Sequence, residues 1–311
     1  MREPLVAWLA AQLDWRDVDP ERANVERIGV GHSRAMYRVD AGADRCVVVR
    51  VEQGGVFGTS SAEECRVMRS LATAGYPVAP ILADEPTGEV IGRPFFVMAF
   101  VTGAAVDDER AVDPPTAAAF VDALHALHEL DGSGFGFDCV PPAPADATPL
   151  QIERWRGVYR RSSSEPIALL EEAAAWLHQR VPPLDRVAVV HGDAGPGNFV
   201  HEGGRVVAMT DFEFAHLGDP AEDWSFCVAM RGARTMPRAE WLALFRERAG
   251  VDLDDERWRY WEAFNLFKGA CANRTCLDLF ERGVNRAPNM AIIGTTLHQV
   301  FLRRLVDIVH G

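Results

Sequence analysis

Residues 4–14 place Leu5, Val6, Leu9 and Leu13 on one helical face, the spacing of a helix that caps a core. The period then shortens. Val25 to Val30, Ala35 to Val39 and Cys46 to Val51 are short β-rich stretches broken by Gly- and Asp-containing turns. Cys46-Val47-Val48-Val49-Arg50-Val51 is almost continuously apolar, as in a strand covered on both faces. Arg50 interrupts it and must meet an anion or a carboxylate. Helical spacing returns over 62–74, with Cys65, Met68 and Leu71 on one side, and Gly75-Tyr76-Pro77 ends it. Ile81 to Ala83, Glu89 to Ile91 and Phe95 to Val101 read as strands again. The first hundred residues therefore predict a small, mainly antiparallel sheet with one helix against it.

After Thr102-Gly103 the pattern becomes helical. Pro114-Pro115 opens a helix that runs to about Glu129, residues 141–149 form a proline loop, and helices follow at about 151–161 and 166–180. A strand-rich island then holds Val187 to Val190, Phe199-Val200 and Arg205 to Thr210. From Asp219 to His310 the chain is helical again. The pattern divides into a sheet-rich lobe, 1–101, and a mainly helical lobe, 102–311.

Composition narrows the function. The 311 residues are 48% hydrophobic and 25% charged, enough to bury a sizeable core. A net charge of −13 argues against nucleic acid as a partner, since a binder would present a basic face. The apolar run from Phe95 to Val101 is seven residues, far below the ~20 that span a bilayer, so no membrane partner is expected. The N-terminus is too acidic for a signal peptide, and six cysteines without a C-x-x-C give neither zinc spacing nor a disulfide framework. A reduced, cytoplasmic protein is the expectation. Of 32 basic residues only Lys268 is lysine, and it stands in Phe267-Lys268-Gly269. A Walker-A loop is therefore excluded, and a PLP enzyme would have to use Lys268. No G-x-S-x-G is present, which counts against a serine hydrolase.

The island carries the chemistry. His191-Gly192-Asp193-Ala194-Gly195-Pro196-Gly197-Asn198 lies between two strands, and Asp211-Phe212-Glu213 follows thirteen residues after Asn198 behind another apolar strand. Two acids and an asparagine held on loops between short strands suit phosphoryl transfer from a nucleotide. One carboxylate accepts the hydroxyl proton, while the asparagine and a second carboxylate hold Mg²⁺ against the phosphates.

These residues make the chain similar to the aminoglycoside phosphotransferase and choline-kinase-like family, relatives of the protein kinases. Further matching stretches are Leu217-Gly218-Asp219-Pro220-Ala221-Glu222-Asp223, Gly29-Val30-Gly31-His32-Ser33, Val48-Val49-Arg50, the helix from Glu64 to Leu71, and Arg93 to Met98. Gln151-Ile152-Glu153-Arg154-Trp155 also resembles the branch fused to acyl-CoA dehydrogenases in animals. The resemblance implies an α+β, two-lobed protein-kinase-like fold that uses ATP or GTP with Mg²⁺ and a small-molecule hydroxyl acceptor. It implies Asp193 as catalytic base, Asn198 and Asp211 as Mg²⁺ ligands and Glu213 as an assistant at the metal. Gly31, His32 and Ser33 would lie over the phosphates, although Arg34 stands where a third glycine would be expected. The backbone of Met98, Ala99, Phe100 and Val101 would form the hinge that receives the base.

Arg50 departs from the lysine usual on this strand. Arginine is always charged and can fork onto two oxygens, so it can serve both phosphates and a helix carboxylate. Glu63 and Glu64 point about 100° apart on a helix, so one of them should face Arg50, and the motif match favours Glu64. Asp219 and Asp223 read as supports of the catalytic loop, Asp219 as a helix N-cap. His125 and His128 read as interior histidines rather than half a metal site, and Trp155, Trp176, Trp224 and Trp261 as core.

The helical lobe carries 21 basic and 31 acidic residues against 11 and 14 before it. That acidity, with Asp107, Asp108 and Glu109 near the hinge, suits a cationic acceptor such as an amino sugar or aminoalcohol; the dehydrogenase-linked resemblance points instead to hydroxy-acid-like or macrolide-like acceptors. A nucleotide-binding pseudokinase or regulatory module is the reading from another class, motivated by Arg50 and the incomplete glycine loop. The intact Asp193, Asn198 and Asp211 count against it.

Overall fold

Leu5, Val6 and Leu9 of helix α1 (Arg2–Gln12) are fully buried against one face of a five-stranded sheet, as the opening periodicity requires. The fold is given by a computed structural model that describes residues 1–15, 17–28, 34–42, 45–54, 56–106 and 110–311. The sheet contains β1 (Asn24–Ile28), β2 (Arg34–Asp40), β3 (Cys46–Glu52), β4 (Ile81–Glu85) and β5 (Phe95–Ala99) in the order β1-β2-β3-β5-β4. All its pairings are antiparallel. Helix α2 (Ser61–Thr73) lies between β3 and β4 in sequence.

The two-residue period of β3 decides what each face does. Val47, Val49 and Val51 join the cluster under α1, where the edge of Trp8 meets Phe95 at 4.9 Å between ring centres. Val48 joins the opposite cluster with Cys65, Met68 and Leu71 of α2. Arg50, two residues on, points the same way as Val48 and opposite Phe96 of β5. Glu89 to Ile91 do not form the expected strand; they turn between β4 and β5, bounded by Gly88 and Gly92, both at positive φ. Three residues between two such glycines are too few to pair. The final strand of the sheet stops at Ala99, short of Val101.

Beyond it the chain is helical, with an inserted island of strands. A short β6 (Ala104–Ala105) precedes α3 (Pro114–His128), whose cap Asp113 accepts the Thr116 N–H at 3.0 Å. Helix α4 (Ala147–Arg161) starts earlier than expected, with Pro149 in its first turn, where a missing N–H leaves no intrahelical bond unmade. Then come α5 (Ala168–His178), β7 (Ala188–Val190), β8 (Phe199–Glu202), β9 (Arg205–Met209) and β10 (His216–Gly218). β7 pairs with β10, and β8 lies between β6 and β9. Helices α6 (Ala221–Phe226), α7 (Arg238–Ala249), α8 (Asp255–Glu281), α9 (Pro288–Ile292) and α10 (His298–Val309) complete the fold.

The 27-residue α8 is the axis of this part, buried among α4, α5 and α10 through Trp261, Phe264, Phe267 and Cys271. Trp155, Trp224 and Trp261 are core, as expected, and Trp176 is partly buried. A single apolar cluster runs from Val48 and Met68 through Phe199, Met209 and Phe212 to Trp224 and Trp241. The Met209 N–H donates to the Pro77 carbonyl at 2.7 Å, so the island is also stitched to the chain leaving α2. Residues 191–198 and 211–213 therefore hang from two layers that share one core.

Candidate active site

An acid outside the H-G-D-x-x-x-x-N motif directs the chain between β7 and β8. Asp223, fully buried in α6, accepts the backbone N–H groups of His191 and Gly192, each at 2.8 Å. Nε2 of His128 lies 2.9 Å from the same carboxylate. Burial opposes its charge, but the His128 bond, the neighbouring histidines and the His191 N–H hold the Asp223 carboxyl below its ordinary range. His128 is thus an interior hydrogen-bonded histidine. Gly192 sits at φ +80°, and a Cβ there would come within 2.6 Å of the Phe214 carbonyl oxygen.

The His191 ring fixes the next turn. Its Nδ1 accepts the Asp193 N–H at 3.3 Å, and its Nε2 faces the Thr210 carbonyl at 2.9 Å. This arrangement is a neutral ring with its proton on Nε2, and burial lowers its pKa in the same sense. Behind the loop, Nζ of Lys268 donates to the Gly192 carbonyl and to Glu222, both at 2.6 Å. Oε2 of Glu222 also stands 3.2 Å from Nε2 of His216. Asp219 accepts the Ala221 N–H at 2.8 Å and an Arg257 N–H at 2.6 Å. The acids of the 219–223 segment thus support the loop from behind.

Asp193 and Asn198 meet directly. The Asn198 amide donates from Nδ2 to the Asp193 carbonyl and to its Oδ2, each at 2.8 Å, which leaves its oxygen as the acceptor turned away from Asp193. Arg231 forks onto the same carboxylate, Nε to Oδ1 at 2.8 Å and Nη2 to Oδ2. Sequence reasoning missed this residue. Its only signal was general: in a chain with one lysine, buried acids must find arginines.

Asp211 follows β9 by two residues, next to Thr210, whose N–H donates to the Asn198 carbonyl at 3.0 Å. Its backbone is left-handed, φ +68° and ψ +57°, a conformation costing a non-glycine residue roughly 1 kcal/mol or more. Arg50 joins it to α2: Nη2 donates to Asp211 Oδ1 at 2.8 Å, and Nη1 lies 2.9 Å from Glu64 Oε1. Burial opposes the charges of this pair, yet Glu64 and Asp211 keep Arg50 charged and Arg50 holds the Asp211 carboxyl below its usual range. Glu63 faces elsewhere, accepting the Asp138 N–H at 2.9 Å, so Glu64 is the partner of Arg50. Glu213 lies deeper, with the Thr59 hydroxyl 3.3 Å from its Oε2. Burial, then the Asp211 charge, push the Glu213 carboxyl up to about 8. Phe214 beyond it packs edge-on against Trp155 and Phe57.

Among the described residues no three His, Cys, Asp or Glu side chains stand together as a metal cage. Mg²⁺ does not ask for one: it takes one or two protein carboxylates, substrate phosphates and water. An Asp211 carboxylate and an Asn198 carbonyl oxygen fit that pattern, both being hard oxygen donors. Along the proposed hinge, Met98 and Ala99 are still in the sheet, and the Ala99 N–H is taken by the Pro80 carbonyl at 2.9 Å. Phe100 and Val101 follow the strand, with Arg38 over the Phe100 ring at 4.7 Å. Gly31, His32 and Ser33, and Asp107, Asp108 and Glu109, lie outside the described residues.

Known proteins resemble this chain in sequence and in fold. The profile of the phosphotransferase enzyme family matches residues 24–262. Acyl-CoA dehydrogenase family member 10 of Mus musculus is 28% identical over 269 residues, 77% of this chain but 25% of that protein. The chain thus spans about a quarter of that relative's length. A Ralstonia eutropha JMP134 structure, provisionally assigned as an aminoglycoside phosphotransferase, superposes with a TM-score of 0.70 at 24% identity, covering 99% of this chain and 98% of that one. The aminoglycoside phosphotransferase APH(4)-Ia, in a ternary complex with ADP and hygromycin B, superposes with a TM-score of 0.61 at 18% identity, covering 93% and 95%. The two-lobed kinase-like fold is common to all of these structures. Among the described residues no helix is long and apolar enough to cross a membrane.

Proposed function

This chain belongs to the phosphotransferase enzyme family, and from that premise we propose that it moves the γ-phosphoryl group of ATP, or GTP, to a hydroxyl of a small molecule. The observation that carries the proposal is the way two acids are held: Asp193 by Asn198, and Asp211 by the Arg50–Glu64 pair. Asp193 takes the proton of the acceptor hydroxyl. Asn198 and Asp211 hold Mg²⁺, which when bound neutralises phosphate charge and orients the leaving group. Arg50, joining β3 to Glu64 of α2, serves the α- and β-phosphates, and Phe100 with Val101 receives the base. Most of the catalysis is then positioning and charge neutralisation, with little covalent work for the protein.

The acceptor is a small hydroxyl compound. The acidity of the helical lobe favours a cation at long range. At the base itself Arg231 cancels the Asp193 charge, so that long-range preference does not extend to the neighbours of the reacting hydroxyl.

The Arg231 fork also favours a second reading, a nucleotide-binding module whose base is permanently neutralised. Thermal shift with ATP, GTP and ADP, each with and without Mg²⁺, tests the nucleotide site, because a ligand that binds only the folded chain raises its apparent stability. Transfer of label from γ-labelled ATP to a panel of hydroxyl compounds then tests turnover. If turnover disappears in Asp193→Asn while nucleotide binding is retained, the enzyme reading stands. Nucleotide binding with no transfer to any acceptor class would leave the regulatory module.

A further inference from the structure

The cations around the site divide into two kinds. Arg34, Arg50 and Lys268 have side chains 1%, 4% and 3% exposed and lie against the carboxylates of Glu64 and Glu222. Arg231 is 24% exposed and lies against the carboxylate proposed as base. Resting on the phosphotransferase reading, we propose that Arg231 is a catalytic residue, which leaves Asp193 when nucleotide binds and neutralises the phosphoryl group in transfer.

Local structure supports this placement. Cys227–Arg231 is a π-helical turn that continues α6, a widened geometry often found at functional sites. It brings Arg231 over the catalytic loop at Gly195, where a Cβ would stand 2.7 Å from the Arg231 Cβ. The loop is therefore bare just where the arginine crosses it. Arg231 also lies within electrostatic reach of Asp211, whose charge it helps to hold. Its guanidinium thus holds the proposed base directly and acts on the charge of the proposed metal ligand.

The geometry calls for the move. With Arg231 on both of its oxygens and Asn198 on one of them, the Asp193 carboxylate has little room to receive an acceptor hydroxyl. A γ-phosphate carries more negative charge than one carboxylate and offers the same bidentate geometry, so it can draw the guanidinium away. In the step that follows, the acceptor oxygen forms a bond to the γ-phosphorus as its proton passes to Asp193. The bond from that phosphorus to the β,γ-bridging oxygen breaks, and the electron pair leaves with the nucleoside diphosphate. Arg231 meets the charge on the phosphoryl oxygens throughout, as arginines supplied in cis do in other phosphoryl-transfer proteins.

The test needs no known acceptor. Affinity for Mg·ADP is measured alone and with aluminium fluoride, a mimic of the phosphoryl group in flight, for the parent, Arg231→Gln and Arg231→Lys. Circular dichroism and melting without ligand establish that each variant folds. Arg231→Gln is expected to bind Mg·ADP within about twofold of the parent and to lose tenfold or more of the tightening by aluminium fluoride, the size of one charge-assisted contact. Arg231→Lys, which keeps charge without the fork, should fall between. An equal tightening in parent and Arg231→Gln, zero included, overturns the role of Arg231 and leaves the nucleotide reading standing. Absence of Mg·ADP binding by the parent overturns both.

Discussion

Asp223 accepts the backbone N–H groups of His191 and Gly192 with its two separate carboxylate oxygens, so a single acid of α6 aims the residue that follows them, Asp193. The arrangement makes a distant side chain answerable for the direction of the proposed base. Asp223→Ala should lower the urea stability of the protein by about 3 kcal/mol or more, because it leaves two buried N–H groups and His128 without their acceptor. Turnover should fall further than folding does, read as kcat at a temperature where the variant remains folded.

Lys268 and Glu222 form a buried pair with the loop carbonyl as third member. Removing one partner strands a charge, whereas removing both does not. Lys268→Met should therefore cost about 3–5 kcal/mol, and Lys268→Met with Glu222→Gln distinctly less. A double variant that loses the sum of the two single losses, measured by denaturant unfolding, would show that the pair is not coupled.

Arg50 touches Glu64 and Asp211 with different nitrogens of one guanidinium. Lysine keeps the charge but cannot hold that fork. Arg50→Lys should weaken Mg·ADP binding about tenfold, the loss of one charge-assisted bond, with the fold retained. Calorimetric titration reads this directly.

Two buried histidines give a pH signature. Burial lowers the pKa of His191 and of His298, so each binds protons more readily unfolded than folded. Their contribution to stability is complete above about pH 6.5, the unfolded value, and is lost as pH falls through that value toward the folded one. The histidine contribution to the melting temperature should decline between pH 6.5 and 5, against the opposite contribution of Glu213, whose raised carboxyl is protonated in the folded chain over that range. His298→Gln, which can still donate toward the Ala270 carbonyl, should remove part of that slope while His191 keeps the rest.

The fold was legible where periodicity and chemistry agreed. The almost unbroken apolar run of β3, with Arg50 inside it, announced both a covered strand and a partner for the guanidinium, and Glu64 was the partner. Phosphotransferase motifs brought Asp193, Asn198 and Asp211 together on paper as they are in space. Glu89 to Ile91 misled because β-branched residues between two glycines look like a strand until a neighbour is required. Arg231 and Lys268 were not legible as parts of the site: each reaches the loop from 38 and 76 residues away, and such contacts leave no spacing in the sequence.

Lys268 carries the one side-chain amine in the chain, and it is buried in α8. Reagents and modifying enzymes directed at lysine meet no lysine target on the folded surface. Labelling of Lys268 can proceed only when α8 and the loop it holds come apart, so the rate of that labelling is a built-in clock for the opening of the catalytic half of the molecule.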